Sequence, residues 1–501
     1  MENLIERGAG ILCHISSLPG KYGIGTIGKE AYEFADFLRR AHVKYWQILP
    51  LAQTGFGDSP YASVCCNSGN PYFIDLEALR DEGLLDDEEL ASCEMPEGEV
   101  DYGALYNTRF NVLRLAYARY DINNEEFVKF VESGEFDEYA VFMSLKGMYS
   151  GSSFKDFPDS YKYAENLAIK EFREANYKSD YCFWIFLQYV FKKQWAKLKE
   201  YVNSLGIQII GDLPLYVAYD SADVWARPEL FCLDEDLNPT EVAGVPPDYF
   251  SPTGQLWGNP VYNWDLLESE KYEWWINRIR KMHEMVDIIR IDHFRGFDRY
   301  YSIPAYAETA ETGEWRQGPG LKFFLQLRKK LGNVPVIAED LGIIDYGVEK
   351  LRQRTGYPGM KIMLFAFDGK LNNPYLPKNI QENAVVYTGT HDNATALGLL
   401  NRMTDSQFLV FKARLRAALK DEGVTVPFKT RAEAARALCA SVLATNANLA
   451  VLPVQDLLGL NDDARMNVPS TSTGNWKFRL TKMPSRYHTA IMRKMVKEYN
   501  R

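Results

Sequence analysis

Eight short apolar runs recur along the chain, most of them closing on polar or charged residues. They are GILCHIS (10–16), YWQILPL (45–51), GIQIIGDLP (206–214), DIIRIDHF (287–294), VPVIAEDL (334–341), GMKIMLFAF (359–367), AVVYTGTHD (384–392) and NLAVLPVQDL (448–457). Between most of them lie stretches of helical period, such as GKEAYEFADFLRRA (28–41) and KYEWWINRIRKMHEM (271–285). Strand and helix alternating eight times predicts an α/β fold, a parallel (β/α)8 TIM barrel. An open doubly wound sheet is the rival, but no glycine-rich phosphate loop follows any run.

The spacing of the runs is uneven. The gap between the second and the third is far longer than a loop, so residues 56–200 are expected to be a mostly helical insertion after the second strand. Residues 218–264, rich in Pro, Gly and aromatics, read as a second insertion, a long ordered loop. Residues 1–501 otherwise form one barrel unit with large inserted subdomains.

In a barrel the chemistry gathers at the carboxyl ends of the strands. Four runs end there in acids: Asp212, Asp292, Glu339 and Asp392. Several carboxylates around one mouth suit glycosidic chemistry, in which retaining enzymes set a nucleophile about 5–5.5 Å from a general acid. Crowding raises the pKa of the proton-carrying member. The alternatives are helix caps and a metal site, since His293 and His391 adjoin two of the acids. Inside the fourth run, IIRIDHFRGF (288–297), Arg290 and Asp292 sit two apart and so share a face of the strand. A buried cation and anion need a reason.

Bulk properties narrow the class. The net charge of -10 argues against a nucleic-acid face. No apolar run is long enough for a membrane span, and the start, MENLIERGAGIL, lacks a signal-peptide core. Seven scattered cysteines without C-x-x-C spacing suggest free thiols and a cytoplasmic setting. Aromatic residues are plentiful, with 31 Tyr, 27 Phe and 10 Trp, and pyranose rings stack on such side chains.

Long stretches carry a family resemblance: HISSLPGKYGIG (14–25), GDSPYASV (57–64), GNPYFIDL (69–76), GDLPLYVAYDSADVWARPELF (211–231), VAGVPPDYFSPTGQLWGNP (242–260), RIDHFRGF (290–297), IAEDLG (337–342) and TGTHDNAT (388–395). From residue 7 to about residue 480 the chain resembles 4-α-glucanotransferases of the amylomaltase or disproportionating-enzyme type, glycoside hydrolase family seventy-seven of the α-amylase clan. The resemblance implies transfer of α-1,4-glucan segments between maltooligosaccharides in starch, glycogen or maltodextrin metabolism, with no cofactor or metal. It implies Asp292 as nucleophile, Glu339 as acid/base and Asp392 as the third acid, gripping sugar hydroxyls. Arg290 would orient Asp292 and lower its pKa. His293, His391, Asn393 and Asp212 would serve the sugar at the cleavage point, with Tyr61 stacked under it. The GVPPDYF segment would be a flap on the acceptor side, supplying Asp248, Tyr249 and Phe250, with Trp257 beyond it. Phe56 stands where many members have tyrosine, which bears on a secondary glucan contact. Ser470 and Phe478 replace the usual glycine and tryptophan, and both read as packing changes. An α-amylase-like hydrolase with the same acids is the alternative activity.

Overall fold

The structure is a computed structural model and describes residues 5–247, 251–342, 344–424, 426–471 and 473–501. All eight runs form strands: β1 (Gly8–Leu12), β2 (Tyr45–Gln47), β3 (Gln208–Leu213), β4 (Ile288–Ile291), β5 (Val336–Ala338), β6 (Gly359–Ile362), β7 (Ala384–Tyr387) and β8 (Leu449–Pro453). They pair in parallel in chain order, and β8 returns to β1 to close the barrel. The strands are short and almost wholly buried, because helices cover their outer face and side chains fill the interior.

Helix α1 (Lys29–Arg40) shows why the intervening segments wind. Its buried residues Ala31, Phe34, Ala35 and Leu38 recur at helical spacing, and Arg39 and Arg40 close its last turn, where cations suit the dipole. Helix α2 (Cys182–Ser204) precedes β3, α3 (Glu273–Met285) precedes β4, and α4 (Gly320–Leu331) precedes β5. Then come α5 (Tyr346–Thr355), α6 (Arg431–Ala444) before β8, and α7 (Arg486–Glu498), which packs back on α1. The alternation fails once. Among the described residues the β6–β7 link contains only 3-10 turns, at Met363–Phe365 and Pro377–Asn379. Pro374 and Pro377 and the short LNNP spacing leave no room there for an amphipathic helix.

Between β2 and α2 lie further helices, the longest being Tyr102–Arg119 and Asp137–Met148. Residues 218–264, expected to be loop, instead contribute two strands, Glu241–Val245 and Gln255–Pro260. These pair antiparallel with each other, and Glu241–Val245 also pairs with Arg299–Pro304, which carries Glu314–Gln317 on its other edge. Trp257 on the strand Gln255–Pro260 meets the ring of His293, just past the end of β4, which brings this small sheet to the mouth side of that strand.

The seam of the barrel is clasped by two arginines. The Arg7 guanidinium donates to the carbonyls of Asn446, Ala447, Thr445, Tyr499 and Asn500. Buried Arg501 donates to the carbonyls of Leu443, Thr445, Ala447 and Asn448.

Candidate active site

Strand register decides which side chains meet. Ile291 pairs with Ala338, so the residues that follow, Asp292 and Glu339, leave adjacent strands side by side. Neighbouring strands lie about 4.8 Å apart, close enough that the Asp292 charge acts directly on Glu339. Asp212 pairs with Arg290 on the other side of β4.

Arg290 is the hub. Its Nη1 lies 2.7 Å from both oxygens of Asp212 and 3.0 Å from Oδ1 of Asp292. Asp212 also accepts from the Tyr61 hydroxyl at 2.7 Å. Asp212 and Arg290 are both buried. Together they fix Tyr61 and one oxygen of Asp292.

Glu339 is held by the backbone. His293 N–H donates to one of its oxygens at 2.8 Å and Leu341 N–H to the other at 2.9 Å. His293 takes a left-handed conformation, φ +50°, which turns its N–H toward Glu339. For a residue with a Cβ that is an uncommon shape, and the carboxylate bond is part of what sustains it.

Burial pushes the Glu339 pKa up to about 8, with the Asp292 charge adding to the rise. Asp292 moves against expectation. Burial carries it up to about 6, and the Arg290 charge pulls back without cancelling the rise. Arg290 cannot do more because it is shared with Asp212, whose charge also raises Asp292. Both carboxyls are raised, but only Asp292 has a guanidinium against it, so Asp292 is the readier of the two to ionise and Glu339 the readier to keep its proton.

Asp392 comes from the loop after β7. Its Oδ1 accepts from Asn467 Nδ2 at 2.6 Å and lies 3.3 Å from His391 Nε2. Arg465 donates to its backbone carbonyl at 2.6 Å. The His391 ring stacks on Tyr61 with centroids 5.0 Å apart, and Trp476 leans on both. One face of Tyr61 is thus already occupied by a histidine. His293 Nε2 is buried with no hydrogen-bond partner among the described residues, and burial holds its pKa down to about 3, so the ring is neutral. Trp257 meets that ring edge-on at 4.9 Å. Asn393 spends its side-chain oxygen on Thr390, at 2.8 Å from the backbone N–H, and so stiffens the loop that carries Asp392.

Asp248, Tyr249 and Phe250 lie outside the described residues. Phe56 is fully exposed. Phe478 is buried, as a packing change would be. Ser470 is not: it is exposed with φ +66°, a conformation that favours glycine, so the change there bears on the backbone.

Sequence reasoning passed over Arg465, Asn467 and Trp476, although all three fall within RMNVPSTSTGNWKFR (465–479). Nothing local marks them, because their partners lie more than 70 residues away. Among the described residues no group of three or more His, Cys, Asp or Glu side chains is arranged to hold a metal ion.

The family model described as 4-alpha-glucanotransferase matches residues 13–484. The chain belongs to that family. A 4-alpha-glucanotransferase of Thermus thermophilus is 46% identical over 485 residues, covering 95% of each chain. One from Clostridium butyricum is 44% identical over 472 residues, covering 93% of this chain and 95% of its own. The solved amylomaltase from Streptococcus agalactiae in complex with acarbose superposes with a TM-score of 0.92 at 39% identity, covering 99% of this chain and all of that one. Membership makes this chain an enzyme of the glycosyltransferase class, and the barrel is the architecture of that amylomaltase.

Proposed function

We propose that this enzyme moves α-1,4-glucan segments between maltooligosaccharides by double displacement, with Asp292 as nucleophile and Glu339 as acid and base. The observation that carries this reading is the strand register that sets the two carboxyls side by side, with burial raising both and the Asp292 charge raising Glu339 further. At neutral pH such a pair holds one anion and one proton, which is what the first step needs.

In that step Glu339 gives its proton to the glycosidic oxygen while Asp292 attacks the anomeric carbon. The bond to the leaving glucan breaks, and a glycosyl ester on Asp292 forms. Arg290 holds Oδ1, and the second oxygen of Asp292 has no protein partner among the described residues, so it is free to attack. Glu339, now ionised, takes the proton from the 4-hydroxyl of an incoming glucan. That oxygen displaces Asp292 and restores the α-1,4 linkage. Asp392, anchored through Oδ1 by Asn467, offers its other oxygen to ring hydroxyls. His293 offers Nε2 to the same sugar.

Transfer outruns hydrolysis when water is excluded and the acceptor is held. We assign that task to the segment with Asp248, Tyr249 and Phe250, which connects the strands Glu241–Val245 and Gln255–Pro260. We place the enzyme in maltodextrin or starch metabolism in a reducing cytoplasm, a setting that suits its seven free cysteines.

Maltotriose is the test substrate. Wild type should yield glucose and longer maltodextrins with a constant number of reducing ends, whereas a hydrolase would raise that number. Asp292→Asn should lose disproportionation by about 10³-fold or more. Activity within tenfold of wild type would end the assignment.

A further inference from the structure

Away from the mouth, a cavity of about 240 Å³ opens on the flank between α1, α2 and the helix Leu76–Asp81. It shares no lining residue with the acids described above or with the loop that carries Tyr61. Three tyrosines face it: Tyr32 from α1, Tyr120, and Tyr189 from α2.

The rings are held in place. Tyr120 packs on Phe186 at 4.9 Å and on Phe127 at 5.3 Å, and the Tyr189 hydroxyl donates to Glu126 at 3.0 Å. Tyr32 leans on Tyr201 at 5.0 Å, and its hydroxyl has no hydrogen-bond partner among the described residues. Gln194 ties the walls together, accepting from Asp75 N–H at 2.8 Å and donating to Asp75 C=O at 3.1 Å. Lining charges balance, with Asp75 and Glu82 against Lys193 and Lys197, and Lys193 is committed to Glu82 at 3.1 Å.

Tyrosine rings in the wall, polar edges and balanced charge suit a neutral polyhydroxy ring better than an anion or a cation. The volume suits one hexose ring and not an extended chain. We propose that this cavity is an auxiliary binding site for a glucosyl unit of a long α-glucan, separate from the catalytic cleft. The identity of the glucan rests on the activity proposed above. A second foothold on the same body would raise the effective concentration of polymer at the mouth and do nothing for a trisaccharide.

Two variants test this. Tyr32→Ala removes a ring from a partly exposed helix position, and Ala78→Trp fills the cavity from the opposite wall. Each is run with wild type through native gels with and without amylose, and assayed on amylose and maltotriose after its melting temperature is matched to wild type. The expected result is weaker retardation by amylose and a KM for amylose raised at least about threefold, with kcat/KM on maltotriose within about twofold of wild type. Retardation unchanged in either correctly folded variant, or an equal loss on both substrates, would overturn the proposal. So would wild type that is not retarded at all. If wild type fails to disproportionate maltotriose, the catalytic reading falls instead, and the gel result still judges the cavity on its own.

Discussion

Arg290 neutralises two carboxylates with one guanidinium, and the division sets the acidity of the site. In the proposed mechanism Asp292 is ionised and Glu339 protonated for the first displacement, so kcat/KM should trace a bell. Activity should fall below about pH 6 as Asp292 gains its proton, and above about pH 8 as Glu339 loses its own. A pH series on maltotriose measures both limbs. Asp212→Asn should separate the contributions. Removing that anion lets Arg290 act on Asp292 alone, and the acidic limb should move down by roughly one unit, while kcat drops because Tyr61 loses its acceptor. A limb that stays in place would show that Asp212 does not share the arginine. The sequence disclosed which acids to watch, because Asp212, Asp292 and Glu339 each close an apolar run. It could not disclose the direction in which Asp292 shifts. That depends on burial summed over several strands and on a second claimant for Arg290, neither of which is visible along one strand.

At the scale of elements, the strands were the legible part. Isoleucine and valine runs bounded by polar residues have one reading when they recur with helices between them, and all eight are strands. The sheet over the mouth was not legible, because Glu241–Val245 and Gln255–Pro260 are short, contain glycines and leave Leu256 and Trp257 exposed. Glu241–Val245 pairs with residues some 60 positions further on, and no local pattern announces pairing across such a gap. Gly244 is where this hairpin is most constrained. A Cβ there would lie 2.1 Å from the Gln255 carbonyl oxygen. Gly244→Ala should therefore force the two strands apart, and with them the ends of the segment to which we assigned the acceptor. We expect the ratio of transfer to hydrolysis on maltotriose to fall by about tenfold or more, since small misplacements of a positioning element are costly. Reducing-end release measured beside glucose release reads that ratio, and an unchanged value would remove the hairpin from the argument.

At the scale of the whole molecule, closure depends on the contact between β1 and β8, where Arg7 reaches from the start of β1 to the carbonyls ahead of β8 and Arg501 braces the same carbonyls. Arg501→Ala would strip donors from the buried carbonyls of Leu443 and Thr445. Charged hydrogen bonds of this kind contribute about 1.5–3 kcal/mol, so the melting temperature should drop by several degrees. The pH profile should not change, because the clasp is remote from the mouth. Urea unfolding followed beside activity checks both halves. The clasp also means that residues 7 and 500 already touch, joined by the Arg7 guanidinium and the Asn500 carbonyl. In effect the polypeptide is a bracelet with its fastening at the seam. A short peptide bridge could solder that fastening, and the bracelet could be opened at an exposed turn such as Gly83 instead. The same eight strands would then be made in a rotated order, and the acids would still converge, because their meeting depends on register and not on which strand is synthesised first.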